Sequence, residues 1–257
     1  MDKEDILFGT KEWAPHNFNF MKGCSNDCTY CYAKEMAIRF KRKTADSWKN
    51  EEAVSLEGKS FGKRNGRIMI PSSHDITPGN IDLAMDVISR LLKSGNELLV
   101  VTKPNLACIE RLVDELLQYR AKIQFRFTIG SSSTTTLKLW EPGASGFPER
   151  LDALKYAYGK GYETTISAEP LLDEKLDDLY EKVSPFVTGS IWVGKMNFPD
   201  RRVKMNATSG IVPNHVKALI AAQCDEKIIA IWEKYKNNPK VEWKESIKKV
   251  LAKHVEI

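Results

Sequence analysis

The chain has 257 residues, of which 42% are hydrophobic, and a formal net charge of +5. This length and composition fit one large α/β domain with its own core, and the charge permits a polyanionic partner without requiring one. No apolar run approaches the roughly 20 residues of a membrane span, and the charged N-terminus leads into no signal-peptide pattern. We therefore predict a cytoplasmic protein with no membrane partner.

Short apolar or β-branched runs alternate with helical patterns along the chain, which is typical of successive βα units around a parallel sheet. The predicted strands are residues 17–21, 67–70, 97–101, 123–129, 162–167 and 189–193. The predicted helical stretches are residues 33–43, 80–95, 106–119, 148–161, 214–235 and 243–254. Residues 130–147 are predicted to form a long loop, and loops of this length inside a compact domain are usually functional.

Six βα units predict an α/β fold, namely a partial (β/α)6 barrel of the TIM type with a helical C-terminal extension. We assign residues 1–210 to the barrel with its N-terminal cysteine loop, and residues 211–257 to the helical extension packed on the barrel. In such barrels the βα loops gather at the carboxyl ends of the strands. Polar clusters follow the predicted strands at that end, which predicts a functional site there.

Three cysteines near the N-terminus, Cys24, Cys28 and Cys31, have the spacing C-x3-C-x2-C. Three thiolates on one loop can hold three irons of a 4Fe–4S cluster, which leaves the fourth iron open to another ligand. The alternative is a structural zinc site with His16 or His74 as the fourth ligand, although zinc ribbons usually bring a second ligand pair that is not present here. The odd total of five cysteines argues against a disulfide framework and fits a reducing compartment.

The cysteine spacing, the aromatic Tyr30 before the last cysteine and the position near the N-terminus resemble the radical S-adenosylmethionine (radical SAM) enzymes. In that superfamily the amino and carboxylate groups of SAM chelate the open iron. The resemblance implies a partial barrel of the radical SAM type and two cofactors, a 4Fe–4S cluster and SAM. It also implies reductive cleavage of SAM to methionine and a 5′-deoxyadenosyl radical.

Further segments, in order along the chain, resemble the spore-photoproduct-lyase-like branch of this superfamily. They are residues 71–75 (PSSHD), 101–103 (VTK), 125–128 (FRFT), 140–143 (WEPG) with Arg150, and 167–173 (SAEPLLD). In the namesake lyases the second-strand segment carries a cysteine that delivers a hydrogen atom, whereas residues 70–75 here contain none. The resemblance therefore predicts the SAM chemistry of this branch and leaves the hydrogen donor open.

The same resemblance implies a set of SAM-binding residues at the carboxyl ends of the strands. Lys103 and Thr128 would bind the SAM carboxylate, and Ser72 and Ser73 would contact the amino end. Glu169 or Asp173 would accept hydrogen bonds from the ribose. The remaining assignments are Tyr30, which would pack beside the adenine or the cluster, and Ser131, at the start of the loop after the fourth strand. From the residues alone, Lys103 is equally a lysine that extends to solvent, and Glu141 and Arg150 are a pair across the long loop.

The basic stretch Arg39, Lys41, Arg42 and Lys43 directly follows the cysteine loop and its helix. Clustered cations of this kind can track phosphates, so the predicted substrate is a nucleic acid or nucleotide. The alternatives are the same radical chemistry on a small molecule or peptide, and a zinc-stabilised, non-catalytic protein that binds nucleic acid. The radical SAM prediction also requires an external electron donor of the flavodoxin or ferredoxin type.

Overall fold

The computed structural model describes residues 9–206 and 213–254, and a parallel seven-stranded sheet runs through them. The strands are β1 (His16–Asn17), β2 (Met21–Lys22), β3 (Glu52–Ala53), β4 (Ile68–Ile70), β5 (Leu98–Thr102), β6 (Ile123–Thr128), β7 (Glu163–Ala168), β8 (Ile191–Val193) and β9 (Val241–Trp243). The order in the main sheet is β1-β4-β5-β6-β7-β8-β9, with β1 and β9 at the edges, so the sheet is an open partial barrel. A separate antiparallel pair is formed by β2 and β3.

Helices connect the strands and follow the sheet. In the described residues they are α1 (Tyr32–Arg39), α2 (Ile81–Lys93), α3 (Leu106–Glu115), α4 (Thr134–Trp140), α5 (Phe147–Gly159), α6 (Leu176–Val183), α7 (Pro199–Asn206), α8 (Pro213–Ala222), α9 (Asp225–Tyr235) and α10 (Glu245–His254). None of these described helices combines the length and apolar character needed to cross a membrane.

The central strands are covered on both faces, and all six residues of β6 are buried. Successive side chains of a strand point to opposite faces. Phe125 and Phe127 belong to the main apolar core together with residues of the surrounding helices. Arg126 and Thr128 alternate with them and occupy the other, polar face. The sheet therefore supplies an apolar layer for the helices. On its inner face, β6 contributes polar side chains beside the apolar Met69 and Leu99 of the neighbouring strands.

The structure confirms the α/β class and the open partial barrel, and it corrects several element boundaries. The predicted first strand, residues 17–21, is divided between β1 in the main sheet and β2 in the small antiparallel pair. Helix α1 ends at Arg39 instead of residue 43, because Lys41 adopts a positive φ of 54°. The predicted loop 130–147 contains α4, with Ser133 as its N-cap.

The C-terminal part differs most from the prediction. Strand β9, which the sequence analysis missed, pairs in parallel with β8 and extends the sheet to seven strands. The helical stretch predicted at residues 214–235 is two helices, α8 and α9, and helices α6 and α7 were not predicted. The predicted boundary between residues 210 and 211 lies outside the described residues.

Candidate active site

The three cysteines lie on one tight loop between β2 and α1. Cys31 is the N-cap of α1, where its sulfur accepts a hydrogen bond from the Lys34 N–H at 3.4 Å. The backbone N–H of Cys24 donates to the Trp48 carbonyl at 2.9 Å. Gly23 has a φ of +88°, and a Cβ there would lie 2.5 Å from the same carbonyl oxygen. Glycine is therefore required where the chain enters the loop.

Polar contacts and close packing fix the middle of this cysteine loop. Glu51 accepts hydrogen bonds from the Ser25 N–H at 2.8 Å and from the Ser25 hydroxyl at 2.9 Å. On the other side, a Cβ on Gly143 would lie 2.2 Å from the Ser25 carbonyl oxygen. The segment after α4 thus rests directly on the loop. Its shape depends on residues more than 100 positions away in the sequence.

A cavity of about 940 Å³ opens at the carboxyl ends of the strands, above the cysteine loop. Most of the predicted site residues line it, namely Cys24, Cys28, Tyr30, Cys31, Ser72, Ser73, Lys103, Thr128 and Glu169. Ser131 is not among the described residues that line this cavity. Its side chain is buried, its hydroxyl donates to Asp173, and it accepts a hydrogen bond from the Ser133 N–H at 2.9 Å. Ser131 thus orders the turn into α4.

The buried carboxylate of Asp75 links the cysteine loop to strand β5 through hydrogen bonds. The sequence analysis gave this residue no role. Its carboxylate accepts hydrogen bonds from the Asn26 amide at 2.9 Å and from the Ile76 N–H at 2.8 Å. The Thr102 hydroxyl and the Lys103 N–H donate to the same carboxylate. Burial raises the pKa of Asp75, while Lys103 and these donors oppose that rise.

Glu141 forms a second buried centre under the cysteine loop. The Arg150 guanidinium lies 2.5 Å from its Oε2, and both side chains are fully buried. This confirms the pair predicted across the long loop. The Tyr30 hydroxyl donates to the other carboxylate oxygen, Oε1. The sequence analysis predicted the pair of Glu141 and Arg150 but not the hydrogen bond from Tyr30 to Glu141.

Lys103 extends from the end of β5 into the cavity. Its Nζ is 4.0 Å from Glu141 Oε1 and 5.7 Å from the centre of the Tyr30 ring. Burial alone would lower the pKa of Lys103, but its neighbours Cys28, Glu141 and Asp75 raise it above its usual value. Lys103 is therefore charged at neutral pH, and the alternative of a lysine extended into bulk solvent is wrong because the side chain is 16% exposed.

Asn19, which the sequence analysis did not single out, shapes the serine pair. Its Oδ1 accepts the N–H groups of Ser72 at 2.8 Å and Ser73 at 3.0 Å, and its Nδ2 donates to the Ser72 hydroxyl at 2.9 Å. The contact joins residues 53 positions apart. It turns the segment after β4 toward the cavity.

His74 is engaged at both ring nitrogens. Nε2 accepts the N–H groups of Phe20 at 3.1 Å and Met21 at 3.2 Å, so Nδ1 carries the proton and donates to the Asp75 carbonyl at 3.1 Å. Burial lowers the pKa of His74 to about 4. Two histidines were considered as zinc ligands. Both ring nitrogens of His74 are used in hydrogen bonds, and His16 is not among the described residues that line the cavity.

The chemistry of the three thiols fits an iron–sulfur cluster. Burial raises the pKa of Cys24, Cys28 and Cys31, so deprotonated sulfurs here need a bound cationic group. Among the described residues, no group of three or more His, Cys, Asp or Glu side chains is placed to hold a metal ion. Each cysteine of a 4Fe–4S cluster binds a different iron, so its ligands do not converge on one ion.

The C-terminal part of the chain supplies the far wall of the cavity. Lys244, between β9 and α10, is buried and pairs with Glu12, and its Nζ lies 3.6 Å from Glu169. Burial raises the pKa of Glu169 above its usual value, and Lys244 opposes that rise. Lys195 and Arg202 also line the cavity. None of these cations was predicted, because they come from the part of the chain where the predicted elements were least accurate.

The basic stretch after α1 does not face the cavity. Arg42 and Lys43 line a second groove along α1, which adjoins the cavity but does not bring either cation into the cavity lining. Lys43 is also largely buried and pairs with Glu52 and the Asn50 carbonyl. The predicted contact between this stretch and a substrate in the cavity therefore loses its geometric support.

A cavity at the carboxyl edge of an open βα sheet, walled by three thiols and several buried charges, is the architecture of a cofactor-dependent enzyme. The sequence model of the Radical SAM superfamily matches residues 18–183. The chain belongs to this superfamily. No curated protein matches the sequence.

Several solved structures of spore photoproduct lyase mutants share the fold. One, with bound AdoMet and dinucleoside spore photoproduct, has a TM-score of 0.56 at 16% identity. A second, with dinucleoside spore photoproduct, has a TM-score of 0.54 at 18% identity. Each comparison covers 94% of this chain and 79% of the lyase chain. At this identity the similarity shows a common fold, as the spore-photoproduct-lyase-like branch predicts.

Proposed function

We propose that this radical SAM enzyme holds a 4Fe–4S cluster through Cys24, Cys28 and Cys31 and cleaves SAM reductively in the adjoining cavity. The observation that carries the proposal is that the three thiols of one loop open into the same cavity as the charged Lys103. When bound, the cluster supplies an open iron and the electron that splits SAM into methionine and a 5′-deoxyadenosyl radical.

The chain's own residues bind and orient SAM. Lys103 is a charged donor on the cavity wall and would hold the SAM carboxylate, with Thr128 beside it on the next strand. Ser72 and Ser73, presented by Asn19, would face the amino end. Glu169 would accept hydrogen bonds from the ribose. Tyr30 is locked by Glu141 and would pack beside the adenine or the cluster.

The substrate we propose is a nucleic acid or nucleotide. The cavity volume of about 940 Å³ is near the upper end of the roughly 300–1,000 Å³ typical of small-molecule sites, which leaves room for a group beside SAM. Lys195 and Arg202 on its far wall lie 3.6 Å from Asp225 and 3.4 Å from Glu35, and their remaining donors favour an anionic group such as a phosphate. Hydrogen abstraction from a neutral molecule or peptide that does not compete with nucleotides would contradict this part of the proposal.

Anaerobic reconstitution with iron and sulfide tests the core of the proposal. We expect roughly four irons per chain, an electron paramagnetic resonance signal that changes on addition of SAM, and 5′-deoxyadenosine after reduction with dithionite. Joint replacement of Cys24, Cys28 and Cys31 by alanine should abolish all three readouts. Cys224→Ala, outside the cavity lining, is the matched control. Zinc without iron in protein made under iron-rich anaerobic conditions would refute the proposal.

A further inference from the structure

The segment directly before β1 reaches the cavity and bridges the two edges of the open sheet. This N-terminal segment, residues 9–15, begins with a short 3-10 helix, and its residues Lys11 and Trp13 line the cavity. It leads into β1 at one edge of the sheet. It is also hydrogen-bonded to Lys244 and Glu245, which directly follow β9 at the other edge. The N-terminal segment therefore closes the cavity on its open side.

Close contacts hold the N-terminal segment at both of its ends. The Lys244 ammonium donates to the Gly9 carbonyl at 3.0 Å. At the other end, Pro15 packs on Gly66, where a Cβ would lie 2.8 Å from the proline Cγ. The side chains of this segment therefore have fixed positions relative to the cavity.

The indole ring of Trp13 is held between two cations and a second indole. The Arg126 guanidinium carbon lies 4.6 Å from the centre of the ring, and the Lys244 Nζ lies 4.3 Å from it. Trp192 meets the ring edge-on, with 6.1 Å between the centres and 70° between the planes. Arg126 is not among the described residues that line the cavity, whereas Trp13 is, so the ring separates this guanidinium from the cavity. These contacts fix the orientation of Trp13.

Trp13 lies at the floor of the cavity, deeper in the barrel than Lys103. The indole packs with Met69 and Val101, which also line the cavity. Val101 is two residues before Lys103 on the same strand, and two residues of a strand span roughly 7 Å. A ligand group on the Trp13 ring would therefore lie about one side-chain layer below the residue proposed to hold the SAM carboxylate.

Cations adjoin this aromatic floor. Lys11, from the N-terminal segment, is exposed and lines the cavity. The Lys195 N–H donates to Ser246 at 3.0 Å, two residues after the Lys244 that contacts the Trp13 ring. Lys195 thus belongs to the same wall. An aromatic ring with cations at its margin matches a planar base joined to a phosphate, because every base has a face that can stack.

We propose that Trp13 is the floor of the substrate subsite, on which a nucleobase stacks while its phosphate binds Lys11 or Lys195. This inference rests on the nucleotide substrate of the proposed function and names the residue that would position it. A saturated small molecule or a peptide backbone would leave the indole without a stacking partner. A free nucleotide and a nucleotide within a single strand present the same chemistry to Trp13, and the experiment distinguishes these two sources.

The test compares ligands with and without a base on reconstituted, SAM-saturated protein. Calorimetry gives the dissociation constants of uridine and adenosine 5′-monophosphate, and of ribose 5-phosphate, which keeps the phosphate but lacks the base. The variants are Trp13→Leu and Trp13→Phe. Trp232→Leu is the matched control, since Trp232 is likewise partly exposed and has the Lys236 ammonium 4.9 Å from its ring centre, but is not among the described residues of the cavity lining.

For Trp13→Leu we expect the affinity for both nucleotides to fall about tenfold or more, because base stacking on an aromatic side chain is lost. Trp13→Phe keeps an aromatic ring and should lose about threefold or less. Ribose 5-phosphate and SAM should bind Trp13→Leu as they bind the wild type, which also shows that the variant is folded. The control variant should behave as the wild type with every ligand.

A photochemical measurement on the wild type tests the same contact without a variant. Irradiation with 5-iodouridine 5′-monophosphate should attach the base to the peptide that contains Trp13. A single-stranded tetrauridylate that binds more tightly than the mononucleotide would identify a strand as the source of the base, and equal affinity would identify a free nucleotide. Either result supports the subsite.

Four outcomes would overturn the subsite. They are nucleotide affinity that Trp13→Leu leaves unchanged, an equal loss of ribose 5-phosphate binding, weakened SAM binding in this variant, and a photoadduct that excludes the Trp13 peptide. Absence of nucleotide binding to the wild type would overturn it as well. A wild type that forms no cluster or cleaves no SAM would instead overturn the core of the proposed function, and the nucleotide affinities of the cluster-free chain would still decide the role of Trp13.

Discussion

The buried His74 makes the stability of the protein depend on pH in the mildly acidic range. Its neutral ring accepts two N–H groups at Nε2, and an imidazolium could not accept them. The unfolded chain protonates this histidine near pH 6.5, whereas burial lowers the folded pKa to about 4. Between these values the unfolded chain binds more protons, so the free energy of unfolding falls as the pH falls.

The size of this effect follows from the two pKa values. The contribution of neutral His74 to the free energy of unfolding is complete above the unfolded pKa and is lost as the pH approaches 4. Each unit of difference between the two pKa values is worth about 1.36 kcal/mol, which gives a total of about 3 kcal/mol. Between pH 7 and pH 5 the linkage relation gives a loss of about 2 kcal/mol.

Urea unfolding at pH 5, 6 and 7 measures the contribution of His74 directly. We expect His74→Gln, which keeps an acceptor oxygen but cannot titrate, to lose about 2 kcal/mol less than the wild type over this range. His16→Gln is the control, since His16 lies in a partly exposed position with one ring contact, to the Asn65 carbonyl. Identical pH dependence in the wild type and His74→Gln would refute the assignment of His74 as a buried neutral acceptor.

Three further changes test the site. Lys103→Ala should weaken SAM binding by about 1.5–3 kcal/mol in calorimetry while the iron content stays constant, because a charge-assisted hydrogen bond is lost. Arg150→Met removes the fully buried guanidinium that lies against Glu141, which should lower the free energy of unfolding by about 3–5 kcal/mol, and Glu141→Leu in the same chain should recover part of this loss. Gly143→Ala should displace the cysteine loop and lower the iron retained after gel filtration, whereas Gly159→Ala, with open space around it, should retain iron as the wild type does.

The elements that could be predicted from the sequence are those determined by local patterns. Strands β5, β6 and β7 were found within about two residues. Strand β5 is a continuous apolar run, which marks a strand covered on both faces, whereas β6 and β7 are rich in β-branched or aromatic residues. The C-x3-C-x2-C spacing located the site, since cluster ligation constrains residues that are close in sequence. Strand β9 was missed because its three residues, Val241–Trp243, are too few to show a period and pair only with the distant β8.

The parts that could not be predicted depend on contacts between distant segments. Asp75 binds Asn26 across 49 positions, and Glu141 meets Tyr30 across 111. Neither carboxylate has a local signal that distinguishes it from a surface acid. For Ser131 the local signal was misleading. Its position directly after a strand predicted a contact with the ligand, but its hydroxyl donates to Asp173 within the fold.

These long-range contacts determine the charge that the cavity presents to a ligand. Two buried carboxylates near the thiols, Asp75 and Glu141, both accept hydrogen bonds from buried donors, and Arg150 neutralises Glu141 within the buried layer. Lys103 is then the cation that remains directed into the cavity between the thiols and strand β6. In the function proposed above, the negatively charged end of SAM would therefore be drawn to Lys103 instead of to Arg150, and the position of that ammonium beside Glu141 and the Tyr30 ring would orient the ligand relative to the cysteine loop.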